Sequence, residues 1–69
     1  MKQYKITENN ITYNIQEHLN GNKFYYLNDK RHRENGPAIE YHSGDKAWYK
    51  NGKLHRNDGQ AVEYFNGYK

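Results

Sequence analysis

The segment His32-Arg-Glu-Asn-Gly-Pro-Ala-Ile-Glu-Tyr41 returns 23 positions later as His55-Arg-Asn-Asp-Gly-Gln-Ala-Val-Glu-Tyr64. When the comparison is extended to the pair Lys46/Lys69, eight of the fifteen aligned residues are identical. A fixed period of this length is typical of proteins in which each unit is one supersecondary element that buries its apolar face against its neighbours. The repeat therefore predicts an array of stacked units, and it favours a scaffolding or binding role over catalysis.

The same period extends in both directions and divides the whole chain. We expect a single domain over residues 1–69, with a leader at 1–8, a degenerate repeat at 9–31, a full repeat at 32–54 and a truncated repeat at 55–69. The first repeat lacks the His-Arg opening, and the last stops at Tyr68-Lys69, before its Trp-Tyr strand. Atypical end units are expected of a stacked array because they face water.

The local pattern predicts β-structure throughout. Residues 11–19 alternate apolar and polar side chains, apart from Glu17, as a half-buried strand does. Turn dipeptides follow every 7–9 residues, and they predict an all-β antiparallel meander of five to seven short strands. The hairpin turns are expected at Asn20-Gly21, Asn28-Asp29, Ser43-Gly44, Asn51-Gly52 and Asn66-Gly67, and the turns between units at Asn35-Gly36 and Asp58-Gly59.

The hairpin at Ser43-Gly44 decides which residues share a face. A two-residue loop there places Ile39 opposite Trp48. Trp48 then lies on the expected core face, and Tyr49 lies on the opposite one. A change of one residue in loop length would exchange these positions, because successive side chains of a strand point to opposite faces. The expected core face carries Tyr25, Ile39, Tyr41, Trp48, Val62 and Tyr64.

Composition limits the kinds of protein this chain can be. A chain of 69 residues is near the lower limit for a self-sufficient core, and the absence of cysteine excludes disulfides and cysteine-based metal sites. The net charge of +3 tolerates an anionic partner without requiring one. No segment has the length of a membrane helix and no signal-peptide core follows Met1. We therefore expect a cytoplasmic protein that does not bind membranes.

The string from Gly36 to Arg56, Gly-Pro-Ala-Ile-Glu-Tyr-His-Ser-Gly-Asp-Lys-Ala-Trp-Tyr-Lys-Asn-Gly-Lys-Leu-His-Arg, resembles the unit of the MORN-like repeats. That unit reads roughly His-Arg-x-Asp-Gly-Pro-Ala-x-Glu, then Gly, then Trp-Tyr-x-Asn-Gly, and the resemblance covers residues 17–69. The chain departs from this repeat pattern at Glu34 and Asn35, at Gln60 in place of proline, and throughout residues 1–31. The resemblance implies stacked β-hairpins that serve as interaction modules, as in antitoxin-like and phage or viral repeat proteins, and it implies no catalytic residues.

The leading functional hypothesis is a non-enzymatic protein-binding module. The size of the chain and its resemblance to the MORN-like repeats suggest a small phage or mobile-element inhibitor, anti-defence or antitoxin-like. Such an inhibitor would block a protein or nucleoprotein complex in the host cytoplasm. The aromatic residues would anchor the partner and the arginines would steer it. The expected contact residues are Trp48, Tyr49, Tyr26, Arg33 and Arg56. No cofactor is implied, and the four histidines lack the short paired spacing of a metal site.

Several alternatives remain open from the sequence alone. Aromatic residues interleaved with lysines could form a stacking platform for single-stranded nucleic acid, with Lys23, Lys46, Lys50, Lys53 and the arginines on the phosphates. A small ribonuclease that uses the repeated Glu17, Glu40 and Glu63 with His42 or His55 is a further alternative. The repeated arginines could instead be structural, since every unit must solve the same packing problem. Finally, an unfinished edge strand or the aromatic face could form a homodimer.

Overall fold

The computed structural model describes residues 1–57 and 59–65, and within them the chain is all-β, with antiparallel strands and no helix. The described residues therefore contain no helix that is long and apolar enough to cross a membrane. The predicted turn at Asp58-Gly59 lies partly outside the described residues. The predicted turn at Asn66-Gly67 and the chain end at Tyr68-Lys69 lie wholly outside them.

The chain begins with a long hairpin that the sequence patterns did not predict. Strands β1 (Lys2–Glu8) and β2 (Ile11–Glu17) pair along seven residues each. Asn9 and Asn10 join them with φ of 49° and 67°. Two consecutive positive φ angles define a type I′ turn, and asparagine is one of the residues that adopt it most readily. The Asn-Asn pair between two alternating segments was the available signal for this turn.

Strand β3 (Lys23–Leu27) follows β2 through a loop that is one residue longer than predicted. Glu17 pairs with Lys23, His18 donates its backbone N–H to Asn22 O at 2.9 Å, and residues 19–21 form the loop between those two. Gly21 adopts φ of +95°, the left-handed residue that ends a three-residue hairpin loop. The prediction of a two-residue turn at Asn20-Gly21 was therefore wrong.

The same correction applies to the hairpin of β5 (Ile39–Glu40) and β6 (Lys46–Ala47). Ile39 pairs with Ala47, where the sequence analysis expected Trp48. Gly44, with φ of +97°, closes a three-residue loop by donating to Tyr41 O at 2.9 Å. Because the loop has one extra residue, Trp48 and Tyr49 exchange the faces that were predicted for them.

The predicted two-residue turns at Asn28-Asp29 and Asn51-Gly52 are confirmed. Both positions of each turn have positive φ, between 52° and 82°. The first turn joins β3 to β4 (Lys30–Arg31), and the second joins β7 (Tyr49–Lys50) to β8 (Lys53–Leu54). The remaining strand is β9 (Val62–Glu63). Within the described residues there are thus nine strands, more than the five to seven expected.

The extra strands arise because the extended segment from Lys46 to Lys50 changes partner at Trp48. Trp48 donates its N–H to Ala61 O at 2.7 Å and accepts from His55 N at 2.9 Å. The segment before it therefore pairs with β9, and the segment after it pairs with β8. The main sheet has the order β1-β2-β3-β5-β6-β9 with β4 beside β3, and β7 and β8 form a second, two-stranded sheet.

The core lies under the N-terminal half of the sheet. Tyr13 and Ile15 of β2 are fully buried, and the rings of Tyr13 and Tyr25 meet edge to face at 6.0 Å. The expected core is correct for Tyr25 and Ile39, but Tyr41 and Tyr64 are exposed. Tyr41 and Tyr64 lie one residue beyond the ends of β5 and β9, and small residues occupy two of the buried positions. The complete set of buried apolar residues is Tyr13, Ile15, Tyr25, Ala38, Ile39 and Ala47.

Candidate functional site

Arg33 is held by contacts on every side of its guanidinium group. It binds both carboxylate oxygens of Glu8, from Nε at 3.0 Å and from Nη2 at 2.6 Å, and Nη1 donates to the carbonyl of Pro37 and to Glu40 Oε2, both at 3.2 Å. Its guanidinium carbon lies 3.9 Å from the ring centroid of Tyr25. These contacts leave 13% of the side chain exposed. Arg33 therefore fastens the β1–β2 hairpin to the rest of the protein.

The charges around Arg33 shift the acid–base behaviour of its neighbours. The pKa of the Glu8 carboxyl is lowered, chiefly because Arg33 donates hydrogen bonds to its ionised form. The pKa of the Tyr25 hydroxyl is raised, chiefly because burial disfavours the phenolate. Both shifts maintain the arrangement in which a carboxylate and a neutral phenol flank the guanidinium.

Arg56 makes closely similar contacts 23 residues later. It donates to the carbonyl of Gln60 at 3.2 Å and to Glu63 Oε2 at 2.6 Å. Its guanidinium carbon lies 3.7 Å from the ring centroid of Trp48. Gly59 permits the close approach, because a Cβ at that position would stand 3.2 Å from the guanidinium carbon. The His-Arg-x-x-Gly motif is thus a packing unit in which glycine leaves room for the arginine.

His32, which is buried, docks the β7–β8 hairpin. Its Nδ1 accepts a hydrogen bond from the backbone N–H of Asn51 at 3.0 Å, so the ring proton is assigned to Nε2, which donates to the Glu34 carboxylate. Glu34 also pairs with Lys50 Nζ at 3.3 Å. The pKa of Glu34 is lowered, first by the hydrogen bond from His32 and then by Lys50.

Three of the five predicted contact residues line one groove, which we call the cationic groove. Arg33, Trp48 and Arg56 border this depression of about 490 Å³ together with Lys50 and His55. Both arginines already bind glutamates of the same chain, Glu40 and Glu63. The groove is therefore a row of internally paired charges, and the contact role of its arginines stays a prediction.

Tyr49, the fourth predicted residue, lies in a second depression of about 310 Å³, which we call the apolar groove. Three of the side chains that line it are large and exposed: Tyr41 at 38%, Leu54 at 53% and Tyr64 at 47%. The sequence analysis assigned none of these three to a contact surface. Tyr41 and Tyr64 were expected in the core because each follows an apolar residue, Ile39 or Val62, at a spacing of two. The remaining apolar lining comes from Ala47 and Val62.

Tyr26, the fifth predicted residue, lies in a third depression of about 530 Å³ that is bordered mainly by β1 and β2. The three predicted aromatic residues, Tyr26, Trp48 and Tyr49, thus line three different depressions. The structure does not bring the five predicted residues together as one site. Alternation of side chains separates Trp48 from Tyr49, and Tyr26 lies on a different strand, β3.

Within residues 1–57 and 59–65, no group of three or more metal-ligating side chains comes together. Every buried polar side-chain atom in the same residues has a hydrogen-bond partner.

Comparison with known proteins adds no assignment: no protein-family model matches the chain, and neither a curated protein nor a solved structure matches it.

Proposed function

We propose that this chain is a non-enzymatic protein-binding module built from stacked MORN-like hairpin units with a 23-residue period. In this proposal it acts in a host cytoplasm as a small inhibitor of phage or mobile-element origin and blocks a host protein or nucleoprotein complex. The observation that carries the binding role is the apolar groove, where Tyr41, Leu54 and Tyr64 are exposed side by side around one depression.

The recurrence of contacts supports the stacked-unit architecture. The contacts of Arg33 with a ring, a carbonyl and a glutamate reappear at Arg56. The backbone bond from Tyr25 N to Ala38 O, 2.7 Å long, also recurs, from Trp48 N to Ala61 O at the same length. Residues that repeat with the same internal contacts, as Arg33 and Arg56 do, solve a packing problem in each unit. Tyr41 and Tyr64 also repeat, but both are exposed and line the apolar groove.

The chemistry of the apolar groove suits a protein partner. Tyrosine buries a large ring while its hydroxyl keeps a hydrogen-bond partner, which is why tyrosines are enriched at interface hot spots. Contiguous exposed apolar side chains on a small soluble domain commonly mark an interaction surface. Burial of Leu54 and the two tyrosines by a partner would remove this apolar surface from water.

The alternative of nucleic-acid binding receives less support from the geometry. Tyr26, Trp48 and Tyr49 lie in different depressions, so they do not form one continuous stacking platform. Several of the lysines proposed for phosphate contacts also face carboxylates. Lys50 pairs with Glu34, and Lys23 lies opposite Glu40 in the sheet.

The test is capture of a partner from lysate of the source host, with and without nuclease treatment, followed by identification and calorimetry with the purified partner. We expect capture to survive nuclease and to fall at least tenfold in Leu54→Ser and Tyr64→Ser, the loss typical of a hot-spot truncation. Leu19→Ser is the matched control, because Leu19 is 97% exposed and lies outside the groove. Binding that is lost on nuclease treatment, or that is unchanged in both groove variants, would overturn the proposal.

A further inference from the structure

We propose that the outer edge of β8, together with the adjoining apolar groove, binds a β-hairpin of the partner protein by strand addition. This inference rests on the proposed binding function and names the form of the ligand. The ligand is a hairpin closed by a type I′ turn, with an aromatic residue two positions before the turn. An interaction of the same kind occurs within the chain, where the β7–β8 hairpin docks on β4.

Three hydrogen bonds, each of which involves a backbone group of the β7–β8 hairpin, hold this hairpin against β4 and the two residues that follow β4. Gly52 donates its N–H to Arg31 O at 2.9 Å, and Arg33 donates its N–H to Tyr49 O at 3.3 Å. The third bond runs from Asn51 N to Nδ1 of His32 at 3.0 Å. The docked hairpin thus contributes its turn N–H groups and one strand carbonyl.

The same acceptors occur 23 residues later on β8. Leu54 stands at the position of Arg31, and His55 stands at the position of His32. The pair Lys50↔Lys53 closes a two-residue turn and exchanges hydrogen bonds, so the next pair, Tyr49↔Leu54, directs its backbone groups outward. In the part of the chain that the structure describes, β8 pairs with β7 alone. The Leu54 carbonyl therefore faces away from β7, on the side of β8 that no strand of the described residues pairs with.

The imidazole of His55 has the same local hydrogen-bond pattern as that of His32. Its Nε2 lies 2.8 Å from Asn57 Oδ1, as Nε2 of His32 contacts Glu34 two residues further along. The amide oxygen can only accept, so the proton is assigned to Nε2 and Nδ1 is left as an acceptor. His55 is exposed, and its Nδ1 can receive a turn N–H as Nδ1 of His32 does.

The side chains beside this edge favour an aromatic ligand. Where the β7–β8 hairpin docks on β4, the centroid of the Tyr49 ring lies 5.5 Å from the guanidinium carbon of Arg31. At the corresponding place β8 offers Leu54, which borders the apolar groove with Val62 of β9. An incoming strand would gain affinity from backbone hydrogen bonds and specificity from alternate side chains in the groove.

A second copy of this chain fits the edge poorly. Two β8 edges facing each other would bring Lys53 close to its equivalent, and directly opposed like charges destabilise strand pairing. Of the three hairpins with two-residue turns among the described residues of a second copy, β1–β2 carries Thr7 and not an aromatic residue two positions before its turn, and the other two are already engaged. Its β7–β8 hairpin docks on its own β4, and Tyr26 of β3 pairs with Asn14 of β2. The occupant is therefore a hairpin from a different protein.

The probe is a cyclised synthetic peptide with the sequence of residues 46–54, which contains the chain's own β7–β8 hairpin. We expect it to bind the intact protein and to shift the amide NMR signals of Leu54, His55 and Val62. N-methylation at the glycine corresponding to Gly52 should weaken binding by about tenfold, the loss expected for one essential hydrogen bond. N-methylation at the leucine corresponding to Leu54 is the matched control, because that N–H points away from the docking side, and it should leave affinity unchanged.

The outcomes separate this inference from the proposed function. Absence of peptide binding, equal affinity of the two methylated peptides, or shifts centred on Arg31 would overturn the hairpin site. Partner capture that depends on Leu54 and Tyr64 would still support the protein-binding function in that case. A concentration-dependent dimer that is lost in Leu54→Ser would overturn the assignment of the edge to a different protein.

Discussion

The guanidinium carbon of Arg56 lies 3.7 Å above the ring centroid of Trp48 while Nη1 of the same group binds Glu63. One planar cation thus joins a ring from one segment to a carboxylate from another. Arginine can do this because its fork of donors lies in the plane that stacks on the ring. The repeated arginine of the motif is therefore a structural connector between neighbouring segments.

Replacement of Arg56 by lysine should lower stability, because an ammonium cannot stack on Trp48 and bind Glu63 with the same geometry. The expected loss is about 1–2 kcal/mol in the free energy of unfolding. Trp48 is the single tryptophan, so denaturant unfolding followed by its fluorescence reports both the stability and the local environment. Arg31→Lys is the control, since Arg31 is exposed and lies 5.5 Å or more from its rings. Equal effects of the two substitutions would contradict the connector role.

Acid should unfold the protein partly through Glu8. The pKa of Glu8 in the folded state lies below its ordinary value of 4.5, mainly because of the hydrogen bonds from Arg33. Its contribution to stability is therefore complete above that ordinary value and is lost as the pH falls through the folded-state pKa. Glu8→Gln should reduce stability at neutral pH by about 1–3 kcal/mol and flatten the acid limb of a stability–pH curve. Glu17→Gln, which alters an exposed hydrogen bond with Tyr4, is the control and should reduce stability at neutral pH by less than Glu8→Gln does.

His32 and His55 should respond differently to substitution despite their identical place in the motif. His32 is buried and bonds both Asn51 N and Glu34, so His32→Ala leaves polar groups unsatisfied and should cost about 1–3 kcal/mol. His55→Ala should cost far less, because the ring of His55 is exposed. Thermal or urea unfolding measures both values. Similar losses for the two variants would be inconsistent with the docking role of His32.

Gly44 should tolerate no side chain. Its φ is +97°, and a Cβ there would stand 2.9 Å from Cβ of Phe65. Gly44→Ala should destabilise the protein by about 1–2 kcal/mol through backbone strain and this clash. Ser43→Ala in the same loop serves as the control, because it removes an exposed hydrogen bond of 3.4 Å. An unchanged urea midpoint in Gly44→Ala would argue against the three-residue loop.

Partner binding should depend weakly on salt if the apolar groove carries it. Phosphate-driven binding weakens steeply as salt rises, because each neutralised phosphate releases counterions. An interface anchored by Tyr41, Leu54 and Tyr64 buries apolar surface, and salt hardly affects that contribution. Calorimetry of the captured partner between low and high salt measures the difference. A steep linear fall of log affinity with log salt would favour the nucleic-acid alternative.

The pattern of alternation and turn residues was sufficient for the fold class. Residues 11–17 form the predicted strand, and Asn51-Gly52 forms the predicted two-residue turn. These features are local, since side-chain alternation and positive φ angles are properties of a few neighbouring residues. The Asn9-Asn10 turn also depends on neighbouring residues alone, but Asn-Asn is a weaker turn signal than Asn-Gly.

The candidate site could not be predicted in the same way, because it depends on which residues face each other across strands. Ser43-Gly44 indicates a turn but does not distinguish a two-residue loop from a three-residue loop. That one residue places Tyr49 in the apolar groove and Trp48 beneath Arg56. Tyr41 and Tyr64, which were expected in the core, are exposed one residue beyond the ends of β5 and β9.

The sequence by itself therefore determined the β-structure and the positions of several turns, because backbone preferences act over a few residues. The tertiary structure alone decided the pairing of Arg33 with Glu8, 25 residues away, and the gathering of Tyr41, Leu54 and Tyr64 around one groove. Strand register sets these long-range relationships, and a shift of one residue turns every side chain of a strand to the other face.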